Sequence, residues 1–219
     1  QRVHVTGCPV RAAFLQASRD EAIGHFGLDA NRRTLLVSGG SLGARSINEA
    51  VLALAGDLDA HAGQWQVLHV TGPDRLEEVG SAWADRAMPA VAVGYCRRMD
   101  LALAGADVAV GRAGASSVAE LHATGVPCVL LPYPGHRDRH QWHNAEALVA
   151  AGQAVCVEDR RDAGANASAL REHLPALLGD PARLDAMRRP DARAHAAAAA
   201  AAVADWLDRQ RGHRGGGRT

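Results

Sequence analysis

The chain has 219 residues, 47% hydrophobic and 22% charged, and its 24 basic and 24 acidic side chains cancel to a formal charge of zero. This is the profile of an ordinary globular protein, with none of the basic excess that a nucleic-acid partner calls for and no apolar run near the ~20 residues of a membrane-spanning helix. All 24 basic residues are arginine, so chemistry that depends on a P-loop or Schiff-base lysine is excluded.

The four cysteines (Cys8, Cys96, Cys128, Cys156) are widely spread with no CxxC pair. They are expected to be free thiols in a reducing compartment, three of them buried. No signal peptide is read at the start, and Gln1 in place of methionine suggests a piece of something longer.

In chain order, "VTGCPVR" opens as a Gly/Pro turn, and "RTLLVSGG" (33–40) reads as a strand ending in two glycines. "ARSINEAVLALAGDL" (44–58) has the 3–4 spacing of one helix, and "WQVLHVTG" (65–72) is a second strand followed by an amphipathic stretch from Pro73. "PAVAVGY" (89–95), "ADVAVGR" (106–112), "PCVLLPY" (127–133) and "QAVCVE" (153–158) are four further strands, each with a helical segment after it. Continuous apolar runs, rather than in–out alternation, mark strands covered on both faces. The pattern predicts an α/β fold, a Rossmann-like doubly wound parallel sheet. After Glu158 only helical patterns remain, ending in the alanine-rich "ARAHAAAAAAAVADWLDRQRG", where Trp206 and Leu207 suggest a docked helix. Residues 1–211 are read as one domain and 212–219 as a disordered tail.

In such sheets ligands sit outside the carboxyl ends of the strands, on the loops entering the helices. "VSGGSLGARS" offers Gly39 and Gly40 for close backbone approach and Ser41 as a cap, a phosphate-holding arrangement without the G-x-G-x-x-G of dinucleotide enzymes. In "GRAGASSVAE", Gly111 and Gly114 precede a helix start at Ala115, Ser116 and Ser117 whose N–H groups would face an anion. Glu120, about one turn in, cannot bind a phosphate, but it can accept hydrogen bonds from the vicinal hydroxyls of a ribose. "PYPGHRDRHQWHNAEAL" carries Gln141 and Asn144 three apart, able to present amides to sugar hydroxyls. His136, His140 and His143 in the same stretch are not read as a metal site, since Gly135 interrupts the helix and no fourth ligand is evident. Arg11 after the first turn would reach an anion.

"VTGCPVR", "LLVSGGSLGARSINEA", "ADVAVGRAGASSVAELHATGVPCVLLPYP" and "HQWHNAEAL", in this order, closely resemble the MurG family of bacterial N-acetylglucosaminyltransferases over Val5 to about Asp159. The resemblance implies the C-terminal, donor-binding half of a two-domain GT-B enzyme that makes lipid II from lipid I in peptidoglycan synthesis at the cytoplasmic face of the membrane. The acceptor domain, its membrane-facing patch and the catalytic base would lie outside this chain, so no catalytic residue is expected in it. Carried over by position, Arg11, Gly40 and Ser41 would contact the diphosphate and the backbone of Cys96 the uracil. Ala115, Ser116 and Ser117 would hold phosphate and sugar, Glu120 the ribose, and His140, Gln141 and Asn144 the N-acetylglucosamine of UDP-GlcNAc. No metal ligand and no obligatory cofactor are implied, Mg²⁺ being at most an aid. The chain departs at Cys8, where the family has asparagine, and at Cys96, where it has an aliphatic residue. A transferase using another UDP-sugar, or a donor-binding subunit completed by a partner chain, would fit the same loops.

Overall fold

In a computed structural model of the chain, residues 7–40, 43–135 and 137–215 are described, with side chains as far as Arg209. Six strands, β1 (Arg33–Ser38), β2 (Trp65–Val70), β3 (Ala90–Val93), β4 (Val108–Gly111), β5 (Cys128–Leu130) and β6 (Ala154–Cys156), form one parallel sheet. Their order is β3-β2-β1-β4-β5-β6, so the winding direction reverses between β1 and β4. Every strand read from the sequence is present. The expected doubly wound, Rossmann-like architecture is the one observed.

The continuous apolar runs are explained by two core layers, one on each side of the sheet. Successive strand residues point to opposite faces. Leu35, Val37, Val108, Val110, Val129 and Leu131 enter one layer, while Leu36, Leu68, Ala109, Cys128 and Leu130 enter the other. The first layer is closed by α3 (Arg45–Ala53), α4 (Ala55–Asp59), α5 (Leu76–Ala84), α9 (Ala163–Arg171), α10 (Leu174–Gly179) and α11 (Pro181–Met187). The second is closed by α1 (Ala12–Gln16), α6 (Met99–Gly105), α7 (Ala115–Thr124) and α8 (His140–Ala150).

Three departures from the pattern reading have physical causes. Residues 12–26, which the apolar periodicity leaves unassigned, form α1 and α2 (Arg19–Phe26). The start of α2 carries a capping box: the Ser18 hydroxyl accepts from the Glu21 N–H and Glu21 accepts from the Ser18 N–H. Ser18→Ala is expected to cost about 1 kcal/mol of stability in urea unfolding, the usual loss for a removed N-cap. The single helix expected over 44–58 is two, broken at Leu54, whose turn keeps both Leu54 and Leu58 fully buried. The helical pattern "ASALREHLPALLGD" (167–180) is likewise split: α9 stops at Arg171 and α10 starts at Leu174, where Pro175 has no N–H to continue the earlier helix.

The alanine-rich helix α12 (Ala192–Gly215) docks differently from expectation. It packs on α7 and α1 through Ala192, Ala196 and Ala199, whose small side chains let the helices approach closely, whereas Trp206 and Leu207 are 36% and 49% exposed. The helix runs to Gly215, past residue 212, where the tail was expected to start. Among the described residues no helix is long and apolar enough to cross a membrane.

Candidate functional site

The reversal of winding leaves β1 and β4 side by side with Ser38 opposite Gly111, so the two glycine-rich junctions emerge from adjacent strands. This is the switch point at which open α/β sheets bind ligands. Gly111 is required by that closeness, since a Cβ there would lie 2.6 Å from the Ser38 carbonyl oxygen. Gly40 turns the chain out of β1 at φ +94°, a conformation that side-chain-bearing residues rarely adopt. Ser41 lies outside the described residues.

At the second junction Gly114 is the extended N-cap of α7 and has no side chain to satisfy the first turn. The N–H groups of Ala115, Ser116 and Ser117 are therefore left for an external acceptor, with the positive end of the helix dipole behind them. A cleft of about 290 Å³ opens between the junctions, lined by Arg11, Gly40, Cys96, Ser116, Ser117 and Glu120 among others. These six were singled out in the sequence from four separate segments. Ala115 is exposed at the start of the helix above them.

Each wall of the cleft is held by ordinary packing. Arg11 is the N-cap of α1, its guanidinium 5.1 Å from the centre of the fully buried Phe14 ring. Cys96 is buried below the β3 end, and that burial pushes its thiol above the usual value, so it stays neutral. Asp100, on the first turn of α6, is clamped through both oxygens by Arg98 at 2.7–3.1 Å, which holds its carboxyl below the ordinary range.

Glu120 behaves in the opposite way. Burial raises its pKa and the charge of Asp100 adds to the rise, while Arg11 works against it. A half-desolvated carboxylate with no side-chain hydrogen bond or ion pair among the described residues is suited to accept hydroxyl hydrogen bonds from a ligand.

The third set of predicted residues does not line this cleft. His140, Gln141 and Asn144 lie on α8, beyond β5, and are tied back to the site by their amides. The Asn144 Nδ2 donates to the Ala113 carbonyl at 3.0 Å, inside the β4–α7 junction. The Gln141 Oε1 accepts from the Tyr133 N–H at 2.9 Å and so fixes the loop ahead of α8. The other ends of both amides, Gln141 Nε2 and Asn144 Oδ1, face no partner among the described contacts. The imidazoles of His140 and His143 lie within 2.9 and 3.3 Å of Asp138 and Glu146, respectively, and His136 lies outside the described residues. Among the described residues, no group of three His, Cys, Asp or Glu side chains is placed to hold a metal ion.

Sequence reasoning missed Tyr95, Arg97 and Met99, which also line the cleft, and a polar cluster of Ser46, Arg112 and Asp159 beside it. Only the position of Arg112 between Gly111 and Gly114 hinted at the latter.

The description "Glycosyltransferase family 28 C-terminal domain" matches residues 34–203. The UDP-N-acetylglucosamine–N-acetylmuramyl-(pentapeptide) pyrophosphoryl-undecaprenol N-acetylglucosamine transferase of Rhodococcus opacus is 45% identical over 204 residues, covering 91% of this chain and 51% of that enzyme. The enzyme of the same name from Leifsonia xyli is 46% identical over 187 residues, 83% of this chain and 49% of its own length. The crystal structure of Acinetobacter baumannii MurG superposes with a TM-score of 0.56 at 23% identity, over 83% of this chain and 52% of that one, a likeness of fold. The chain thus spans about half the length of the curated relatives it matches. It belongs to glycosyltransferase family 28, whose C-terminal domain it carries.

Proposed function

We propose that this chain is the donor-binding half of an inverting N-acetylglucosaminyltransferase: it holds UDP-GlcNAc for transfer to a lipid-linked N-acetylmuramoyl acceptor, converting lipid I to lipid II. The observation that carries this reading is the pairing of two strand-to-helix junctions across the β1–β4 switch point, with Arg11 and Glu120 both lining the cleft they open. The amides of residues 115–117 and the first junction meet the pyrophosphate, Glu120 accepts the two ribose hydroxyls, and the backbone at Cys96 reads uracil. Gln141 and Asn144 present their uncommitted ends to the sugar.

The reaction is a displacement at the anomeric carbon. The acceptor hydroxyl forms the new C–O bond as the bond to the β-phosphate oxygen breaks, and UDP departs with the electron pair. The acceptor proton goes to a base supplied from outside this chain. What this chain contributes is positioning and stabilisation of the charge that develops on the leaving diphosphate, through fixed N–H groups and a guanidinium that need no reorganisation. That set of donors makes a metal ion an aid rather than a requirement. The acceptor places the complete enzyme at the cytoplasmic face of the membrane, with contact to lipid made by the acceptor domain.

Competition calorimetry tests the donor assignment. UDP-GlcNAc is expected to bind at least about tenfold more tightly than UDP-Glc or UDP-Gal, since each misplaced or missing hydrogen bond to these half-buried amides costs about 1–3 kcal/mol. Equal affinity for all three would remove Gln141 and Asn144 from the sugar site.

A further inference from the structure

Three groups far apart in the chain meet between the two junctions. The Asp159 side chain, fully buried at the end of β6, accepts at Oδ2 from the Ser46 hydroxyl at 2.8 Å and from Arg112. Its Oδ1 accepts from Asn166 Nδ2 at 2.8 Å and from the Arg161 N–H at 2.7 Å. Arg112 in turn donates to the Ser46 hydroxyl oxygen at 2.8 Å and to the Leu131 carbonyl at 2.9 Å. Burial alone would raise the Asp159 pKa, but these donors outweigh it and keep the carboxylate ionised.

The location of the cluster gives it a role. Ser46 is in the first turn of α3, directly after the β1 junction, and Arg112 is inside the β4 junction. Arg112 also lies 5.4 Å over the ring of Tyr133, whose backbone N–H donates to Gln141 Oε1. The carboxylate thus links both phosphate-side loops and the sugar-side loop without lining the cleft itself. A buried ion pair contributes little net stability against an apolar replacement, because desolvation offsets the attraction. What it does supply is one fixed arrangement of the groups it joins.

We propose that Asp159, acting through Arg112 and Ser46, is a positioning residue for the donor diphosphate: it sets the spacing of the two junctions so that both sets of N–H groups reach one pyrophosphate. The proposal rests on the donor-binding reading above. Uridine engages only the α7 and β3–α6 side of the cleft, so its affinity is insensitive to that spacing, whereas UDP spans both junctions.

The test is calorimetric titration of the chain with UDP and with uridine, in wild type, Ser46→Ala and Asp159→Asn. Ser46→Ala removes one uncharged link and is expected to weaken UDP roughly 3- to 10-fold, and Asp159→Asn roughly 10- to 50-fold, with uridine changed less than about twofold in both. A merely structural role would lower both affinities together, and that result overturns the proposal. Should Asp159→Asn fail to fold, Ser46→Ala decides alone, since it leaves no buried charge unpaired. A Ser46→Ala protein that melts like wild type and binds both ligands like wild type overturns the positioning role but leaves the donor reading intact. A wild-type chain that takes neither UDP nor uridine overturns the donor reading, and this proposal with it.

Discussion

Glu120→Ala is expected to lower the affinity for UDP, UDP-GlcNAc and uridine alike, by about a hundredfold or more. The reason is that the carboxylate is assigned to the ribose, which all three share, and hydrogen bonds to a charged group contribute about 1.5–3 kcal/mol each. Glu120→Gln keeps one acceptor and loses the charge, so an intermediate loss is expected. The pH dependence is a second, independent signature. Burial raises the Glu120 pKa, with Asp100 adding and Arg11 opposing, so the acceptor form is complete only above that raised value. Uridine affinity therefore declines as pH falls, starting above the range of an ordinary carboxylate. Uridine carries no phosphate to titrate, and the Gln variant has no carboxyl at 120, so its profile should be flatter over the same window. Titrations between about pH 5 and 7.5 measure this directly. Identical profiles for wild type and Gln variant, or an Ala variant of unchanged affinity, would take Glu120 out of the ribose site.

How much of this was legible in the chain follows from which interactions are local. The six strands announced themselves because a strand covered on both faces has no polar alternation, and "WQVLHV" is buried at all six positions. The two junctions were legible because glycine before a helix start has a backbone reason, realised here in Gly40 and Gly111. The break at Leu54 was not, since it depends on where the core needs Leu54 and Leu58 rather than on any breaker residue. Nor was the Asp159 cluster: Ser46 and Asp159 are 113 positions apart, and only the fold brings them within a hydrogen bond. The capping box of Ser18 and Glu21 was present in the sequence, but α2 is too short and too polar for its apolar periodicity to draw attention. Trp206 misled because a large apolar residue was weighted over small ones, whereas close helix packing on α7 uses alanine.

A second large effect comes from the opposite layer of the sheet, where His69 is fully buried in the middle of β2. Its Nδ1 faces the Trp83 indole N–H at 3.1 Å, a group that can only donate, so this nitrogen must be unprotonated. The other nitrogen, Nε2, then carries the proton and donates to the Asn48 Oδ1 at 3.1 Å. Asn48 passes the chain on, donating to the Thr71 carbonyl at 2.7 Å. A second proton on His69 would set two donors against each other in a dry site, and burial depresses its pKa to about 3 from an ordinary 6.5.

The unfolded chain takes up that proton as pH drops below about 6.5, while the native one refuses it until about 3, so stability is lost steadily across that window. At pH 4.5 the loss from this residue alone is about 3 kcal/mol, a large share of what a domain of this size has. Urea unfolding of wild type and Trp83→Phe at pH 7.5 and 4.5 isolates it from the carboxylates that titrate in both proteins. Removing the opposing donor frees Nδ1 to accept a proton, so the Phe variant, less stable at neutral pH by about 1–3 kcal/mol, should lose distinctly less on acidification. Equal losses in the two proteins would mean that burial, and not the opposing Trp83 donor, is what keeps the second proton off His69. Because Asn48 lies on α3, the helix that follows the first junction, the same chain of hydrogen bonds ties that helix to β2 and to the Thr71 carbonyl just beyond it.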